Sequence, residues 1–242
     1  MERSALVTGG TGSIGSSIVR ALTQNNISVV FQYHSDSQRA AEISRETGAT
    51  SIQIDLRTGV IPDFPDVDIL VNSAGVLLTK TSVEEVGDAE IEQTLAVNLV
   101  APFHLIRRVV PGMKARRWGR IVNIGSIYAH RGTSNNSTYN VSKHALLGLT
   151  RSAAKDLASF GITVNQVDPS AVDSDIIDDL ARRYAASGAT TFEAYKQDLA
   201  SGIPVGRLAD AKEIASAVAY LVSEEAGFIT GEALVVDGGL IA

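Results

Sequence analysis

Short runs rich in β-branched and apolar residues recur along the chain, and between most of them apolar residues fall three and four positions apart. The runs Ala5–Thr8, Ser28–Tyr33, Ser51–Ile54, Asp68–Val71, Arg120–Ile124, Thr163–Val167 and Ala233–Val236 read as seven strands. Helical spacing covers Ile14–Gln24, Ala89–Met113, Thr138–Ser159 and Ala211–Ser223. Strand and helix in alternation predict a doubly wound α/β fold: a seven-stranded, mainly parallel sheet with helices on both faces. Two places interrupt the alternation. Pro62 and Pro65 deny a regular helix to the connection 57–66, so one crossover helix is expected to be shortened to a loop. The stretch 170–206 reads as an insertion with helical pieces at Ile176–Ala186 and Phe192–Ala200, and long connections of this kind are usually functional. Residues 1–242 carry no repeat and no linker, and are expected to form a single domain.

Composition narrows the chemistry. A chain of 242 residues, 45% hydrophobic and 20% charged, can bury a substantial core. The net charge of −6 argues against wholesale nucleic-acid binding. There is no cysteine, which excludes disulfides, thiolate catalysis and cysteine-ligated metal. No apolar run approaches the ~20 residues of a membrane span, and the start MERSALV lacks the pattern of a secretory leader. A cytoplasmic protein is expected. His34, His104, His130 and His144 have no ligand spacing, so no metal site is expected.

Two stretches carry chemistry. The first strand runs into TGGTGSIG, Thr8 to Gly15, and then a helix. Glycines allow close approach of a pyrophosphate, and the helix N-terminus offers free N–H groups to it. Further on, Ser126 precedes Tyr139 and Lys143, and if the segment from Ser137 is helical the last two share one face. A cation within roughly 4–6 Å lowers a phenol's pKa, which would let Tyr139 exchange a proton with a substrate oxygen near neutral pH. Taken alone, a Tyr-x-x-x-Lys spacing also arises often by chance, Ser126 is compatible with a plain turn serine, and Asn98 with a buried helix asparagine.

The motifs in order settle between these readings. Besides the glycine turn there are Asp55 with Leu56, NSAG at Asn72–Gly75, Asn98 in VNLVAPF, GRIVNIGS ending at Ser126, YNVSK at Tyr139–Lys143, GITVNQVDP ending at Pro169, and ITGEALVVDGG. Together they make the chain resemble the short-chain dehydrogenase/reductases, in the single-domain branch that includes the 3-oxoacyl-carrier-protein reductases. The resemblance covers nearly the whole length and implies a Rossmann-like fold. It implies that Tyr139 donates the proton, Ser126 hydrogen-bonds the carbonyl, Lys143 binds the nicotinamide ribose and holds Tyr139 acidic, and Asn98 anchors a water. It also implies cofactor contacts from Gly9, Thr11, Gly12, Ser13, Ile14 and Gly15, from Asp55 and Leu56 by the adenine, from Asn72, Ala74 and Gly75 beside the adenosine ribose, and from Tyr139, Lys143, Pro169, Val172 and Ser174.

The second strand ends in FQYHSDSQR without an acid in the place that would hold a free ribose hydroxyl pair, and Asp36 is expected to cap the next helix. NADP(H) is therefore favoured, with His34, Ser35 and Arg39 near its phosphate, and NAD(H) is the alternative. The chain departs from the family pattern at Ser13, Ser73 and Ser170, where glycine, asparagine and glycine are usual, and at Gly12, which is basic in many NADP-dependent members.

The expected substrate is a ketone or its alcohol, a 3-oxoacyl thioester or a polyketide-like ketone. Acyl carrier protein or coenzyme A is then the thioester's carrier. Lys114, Arg116 and Arg117 resemble a carrier docking patch, whereas Phe160 occupies a position often basic there. The residues Ile176, Ile177, Leu180, Tyr184 and Phe192 could line a pocket or merely cover the core, and His130, Arg131 and Asn135 could face substrate or be loop polars. By resemblance the two long helices pair subunits into a homotetramer or homodimer. Two other functions stay open: an NAD-dependent alcohol, polyol or sugar dehydrogenase, and a dinucleotide-sensing protein without turnover.

Overall fold

The computed structural model describes residues 3–59, 64–78 and 80–242. Seven strands form one sheet in the order β3-β2-β1-β4-β5-β6-β7, every neighbour pair parallel. They are β1 (Ser4–Val7), β2 (Ser28–Tyr33), β3 (Thr50–Gln53), β4 (Ile69–Asn72), β5 (Gly119–Ile124), β6 (Ile162–Pro169) and β7 (Ala233–Val236). The helices are α1 (Ser13–Gln24), α2 (Ser37–Thr47), α3 (Asp88–Leu95), α4 (Ala101–Arg116), α5 (Ser137–Leu157), α6 (Asp175–Ala186), α7 (Phe192–Ser201) and α8 (Ala211–Val222).

β4, β5 and β6 are buried along their whole length, as strands covered on both faces must be. Alternation along each strand divides the core. Val7, Val71 and Val122 face α1 and α8, meeting Ile18, Leu22, Ile214 and Val218. Leu6, Leu70 and Ile121 face the other way and meet Leu105, Val109 and Leu157 of α4 and α5.

The long helix expected over 89–113 is divided. α3 passes through a π-helical turn, Ala96–Val100, into α4, and Asn98 sits in that turn. Such turns are frequent at functional sites. Between β3 and β4 the described residues form a 3₁₀ turn at Leu56–Thr58 and no regular helix, and buried Phe64 packs into the α4 side of the core. Pro62, on which that expectation partly rested, lies outside the described residues. Among the described residues no helix is long and apolar enough to cross a membrane.

Candidate active site

The chain leaves β1 for the β2–β3 side of the sheet and returns on the other side at β4. The crevice between the carboxyl ends of β1 and β4 is therefore the topological switch point, where open α/β sheets bind ligands. Two turns are buckled together there. Thr8 Oγ1 accepts the N–H groups of Ser73 and Ala74, each at 3.0 Å. Gln32 of β2 accepts the Gly9 N–H at 2.9 Å and donates to the Ile54 carbonyl at 2.6 Å. Gly9 has φ +65°, and a Cβ there would stand 2.8 Å from Ala74 Cα; one on Gly15 would stand 2.1 Å from the Gly9 oxygen. Neither position accepts a side chain.

The resulting cleft holds about 350 Å³. Gly9, Thr11, Gly12, Ser13, Ile14 and Gly15 form its floor. His34, Asp55 and Leu56 border one side, Ala74 and Gly75 the other, and Ser174 its far end. α1 begins at this floor with no side-chain cap and no acid in its first turn. Its N-terminal N–H groups and positive dipole end face the cleft, so the residues present fit the diphosphate of a dinucleotide.

At the rim, Arg57 Nη2 donates to Asp55 Oδ2 at 2.7 Å and lies 3.0 Å from His34 Nε2. The Arg57 guanidinium holds the Asp55 carboxyl down to about 2. Arg57 borders the cleft and was missed in the sequence, where its one signal was a place two residues beyond Asp55. Ser35, expected beside a phosphate, is exposed and does not line the cleft. Arg39 is turned to another partner, Asp175, at 3.4 Å. Asp36 caps α2 as expected, accepting the Arg39 N–H at 2.9 Å. Asp175 is the second residue missed. It takes the N–H and hydroxyl of Ser13 at 3.1 and 2.9 Å, docking the start of α6 on the glycine turn.

A second chamber of about 190 Å³ adjoins the cleft through Gly75 and Ser174. Ser126, Tyr139 and Lys143 lie on one wall with Pro169 and Val172; Ile176, Ile177, Leu180 and Tyr195 face them. The register of α5 brings Tyr139 and Lys143 together within its first two turns. Lys143 Nζ stands 5.4 Å from the Tyr139 ring centroid and donates to the Ile124 carbonyl at 2.9 Å. Burial pushes the Tyr139 phenol up to about 12, against a hydrogen bond with Ser126 that favours ionisation. Burial also pulls the Lys143 ammonium down to about 8, with Asp168 opposing. The expectation that Lys143 holds Tyr139 acidic meets an opposing effect: desolvation raises the phenol and leaves it protonated at neutral pH, and the group that lowers it is Ser126.

Asn98 lines neither cavity. Its side-chain amide accepts the Val76 N–H at 2.8 Å and donates to the Val76 carbonyl and the Ser142 hydroxyl. Asn98 Oδ1 and Lys143 Nζ both flank Gly75, at 3.6 and 3.7 Å from where its Cβ would be. Asn72 is also turned away from the cleft, into a buried polar chain. Asn72 donates to Asn123 at 2.8 Å, Asn123 to Thr150 at 2.8 Å, and Thr150 to Gln166 at 3.1 Å. Gln166 in turn donates to Asp168 at 2.7 Å.

In the segment 127–136, His130 binds Asp168, whereas Arg131 is exposed and Asn135 turns the chain at φ 57°. Tyr184 stacks on Tyr195 without lining the chamber, and Phe192 lies outside it. The basic cluster is largely spoken for. Lys114 lies 4.3 Å from the Phe160 ring centre, Arg116 pairs with Asp68 at 2.9 Å, and Arg117 donates to the Ser159 carbonyl. Ser170, where glycine is usual, donates its hydroxyl to the Asp237 carbonyl.

Comparison with known proteins agrees with this geometry. A family model described as "Enoyl-(Acyl carrier protein) reductase" matches residues 9–241. An acetoacetyl-CoA reductase of Allochromatium vinosum is 34% identical over 99% of each chain. A 3-oxoacyl-(acyl-carrier-protein) reductase FabG of Haemophilus influenzae is 36% identical over 98% of this chain and 97% of its own. Among solved structures, an actinorhodin polyketide ketoreductase variant with NADPH superposes with a TM-score of 0.90, at 31% identity over 99% of this chain and 97% of its own. A metagenomic blue fluorescent protein in complex with NADPH superposes with a TM-score of 0.86, at 32% identity over 99% and 98%.

Proposed function

The chain belongs to the short-chain dehydrogenase/reductase family of oxidoreductases, and from that premise we propose that it is an NADP(H)-dependent carbonyl reductase whose substrate is a 3-oxoacyl thioester or a polyketide-like ketone. The observation that carries this reading is a protonated Tyr139 beside Ser126 and Lys143 on the wall of a largely apolar chamber that opens into a dinucleotide-sized cleft. Reduction needs a proton donor at that point.

Gly9, Gly15 and the N-terminus of α1 would hold the diphosphate, Ala74 and Gly75 the adenosine side, and Lys143 the nicotinamide ribose. Arg57, paired with Asp55, and His34 beside it are donors on the rim that a 2′-phosphate would meet. When bound, the cofactor supplies the hydride that reaches the carbonyl carbon. Ser126 Oγ and the Tyr139 hydroxyl then meet the negative charge that grows on the carbonyl oxygen, where such donors lower a barrier most. Tyr139 gives that oxygen its proton, and Lys143 stabilises the phenolate left behind. The apolar side chains of α6 and α7 exclude water and suit an acyl chain.

The names of two relatives, an acetoacetyl-CoA reductase and a 3-oxoacyl-(acyl-carrier-protein) reductase, support a coenzyme A or acyl-carrier-protein thioester as the substrate. The exposed apolar residues Phe103 on α4 and Val141 on α5 support a homo-oligomer, which light scattering would detect. The central test is the oxidation of NADPH and NADH followed by absorbance with 3-oxoacyl thioesters and simple ketones. Tyr139→Phe is expected to reduce kcat by about 10²–10⁴-fold with little change in NADPH affinity. Undiminished turnover in that variant, or a strong preference for NADH, would overturn the reading.

A further inference from the structure

The side chain of Asp168 is fully buried at the carboxyl end of β6, and neither the glycine turn nor the proton-donating tyrosine accounts for it. Its Oδ1 accepts the backbone N–H of Ser126 at 2.9 Å and Gln166 Nε2 at 2.7 Å. Its Oδ2 lies 2.6 Å from His130 Nε2. The contact with the β5 end is tight, since a Cβ on Gly125 would stand 1.9 Å from Asp168 Oδ1. The Ser126 N–H is thereby tied to the carboxylate. On the other side, the His130 side chain is 26% exposed, so it connects the buried carboxylate with solvent. A buried carboxylate is costly unless paired and hydrogen-bonded, and here three donors meet it beside the reacting groups.

We propose that Asp168 and His130 form a positioning couple that holds Ser126 through its N–H and sets the charge beside Tyr139 and Lys143, so that the proton shared by the couple tunes the pH range of carbonyl reduction. This rests on the reading of Ser126 and Tyr139 as the carbonyl-binding pair. The sign follows from Coulomb's law. While the couple carries its net negative charge, Asp168 opposes ionisation of Tyr139 and favours the Lys143 ammonium, the directions in which it acts on each. A proton taken up by the couple neutralises it and that influence falls; burial, which raises the Asp168 carboxyl against its hydrogen bonds from Gln166, His130 and Ser126, favours that uptake. Few other charges compete. α5 contributes Tyr139 and Lys143, and the turn at Ile127–Ala129 contributes Tyr128, whose neighbour on α7 is Tyr195. β7 sets Val235 opposite Asp168, the adjoining end of β5 carries Asn123 and Ile124, and Glu213 of α8 is bound to Arg207.

The test compares log kcat/KM against pH for the wild type, Asp168→Asn and His130→Gln, with NADPH and a ketone the wild type reduces. Asn keeps an acceptor for Ser126 and Gln166 but removes the charge, and is expected to move the alkaline limb to lower pH by about 0.5–1 unit. Gln keeps a donor for Asp168 but cannot become a cation. It is expected to keep the alkaline limb at or above the wild-type position and to remove any acid-side change that belongs to the couple. KM for NADPH should stay within about 2-fold in both, because neither side chain lines the cofactor cleft. A uniform loss across pH in both variants, or shifts in the same direction, would leave only a structural role and overturn the proposal. A spectroscopic reading separates it from the functional one. The phenolate absorbance of Tyr139, taken as the difference from Tyr139→Phe, should appear at lower pH in Asp168→Asn whether or not any ketone is reduced. If Asp168→Asn fails to fold, His130→Gln on the partly exposed partner decides through its acid limb: a retained limb overturns the proposal.

Discussion

At the scale of single residues, two ionisable groups set the behaviour of the chamber. Lys143 is pulled down to about 8 by burial, so the free enzyme should lose the cation beside Tyr139 as pH passes that value. The alkaline limb of log kcat/KM for reduction is expected to bend at about 8 in the wild type. The same group makes a stability prediction. In the unfolded chain Lys143 keeps its proton to about 10.4, whereas the folded chain releases it earlier, so its charge opposes folding below the folded value. That cost is roughly 2–3 kcal/mol, and the lost hydrogen bond to Ile124 returns part of it. Lys143→Met is therefore expected to abolish turnover yet to be about 1–2 kcal/mol more stable at pH 7, with the gain vanishing near pH 10 in denaturant titrations. Tyr139 and Lys143 were legible as a pair because a helix turn relates them locally. Arg57, Asp175 and Asp168 were not recognised, since Asp168 and Asp175 acquire meaning from partners far along the chain and Arg57 from the rim on which it lies.

At the scale of elements, α6 docks on the glycine turn through Asp175, and this contact places a carboxylate beside the N–H groups that suit a diphosphate. Two like charges there repel. Asp175→Asn is expected to tighten NADPH binding by about 2–5-fold in fluorescence titrations, the effect of a partly exposed charge. Weaker binding would mean that the carboxylate serves mainly to hold α6 in place. Helices over 14–24 and 211–223 were readable from apolar spacing, and their observed ends differ by no more than a residue. The helical stretch 89–113 was readable too, within the continuous run 88–116, but not its π turn, whose extra residue swings Asn98 onto Val76 and Ser142. Ser35 and Arg39 show the same limit. The end of β2 brings His34 to the cleft, but the start of α2 carries its neighbours outward or toward α6.

At the scale of the whole molecule, the sheet brings the glycine turn, the β4 end and the β5 end to a single edge, and the α4–α5 layer supports it from one side. Leu70 is fully buried in that layer. Leu70→Ala is expected to cost about 3 kcal/mol in chemical denaturation while leaving KM for NADPH nearly unchanged, since it opens a cavity away from the cleft. The order of strands and helices and the glycine turn were legible in the sequence itself, and the Ser126–Tyr139–Lys143 set through its resemblance to the short-chain dehydrogenase/reductases. The first two depend on periodicity and on spacing along adjoining elements, which local sterics and hydrogen bonding dictate. The tertiary structure alone decided the electrostatics. Whether Tyr139 is acidified or held protonated depends on how much water the packed strands exclude and on how far Lys143 is drawn toward Ile124. The buried Asp168, bound to Ser126 and His130, exists only once β6 lies against β5. Those terms belong to groups distant in the chain and close in space, and no pattern along the sequence encodes their balance.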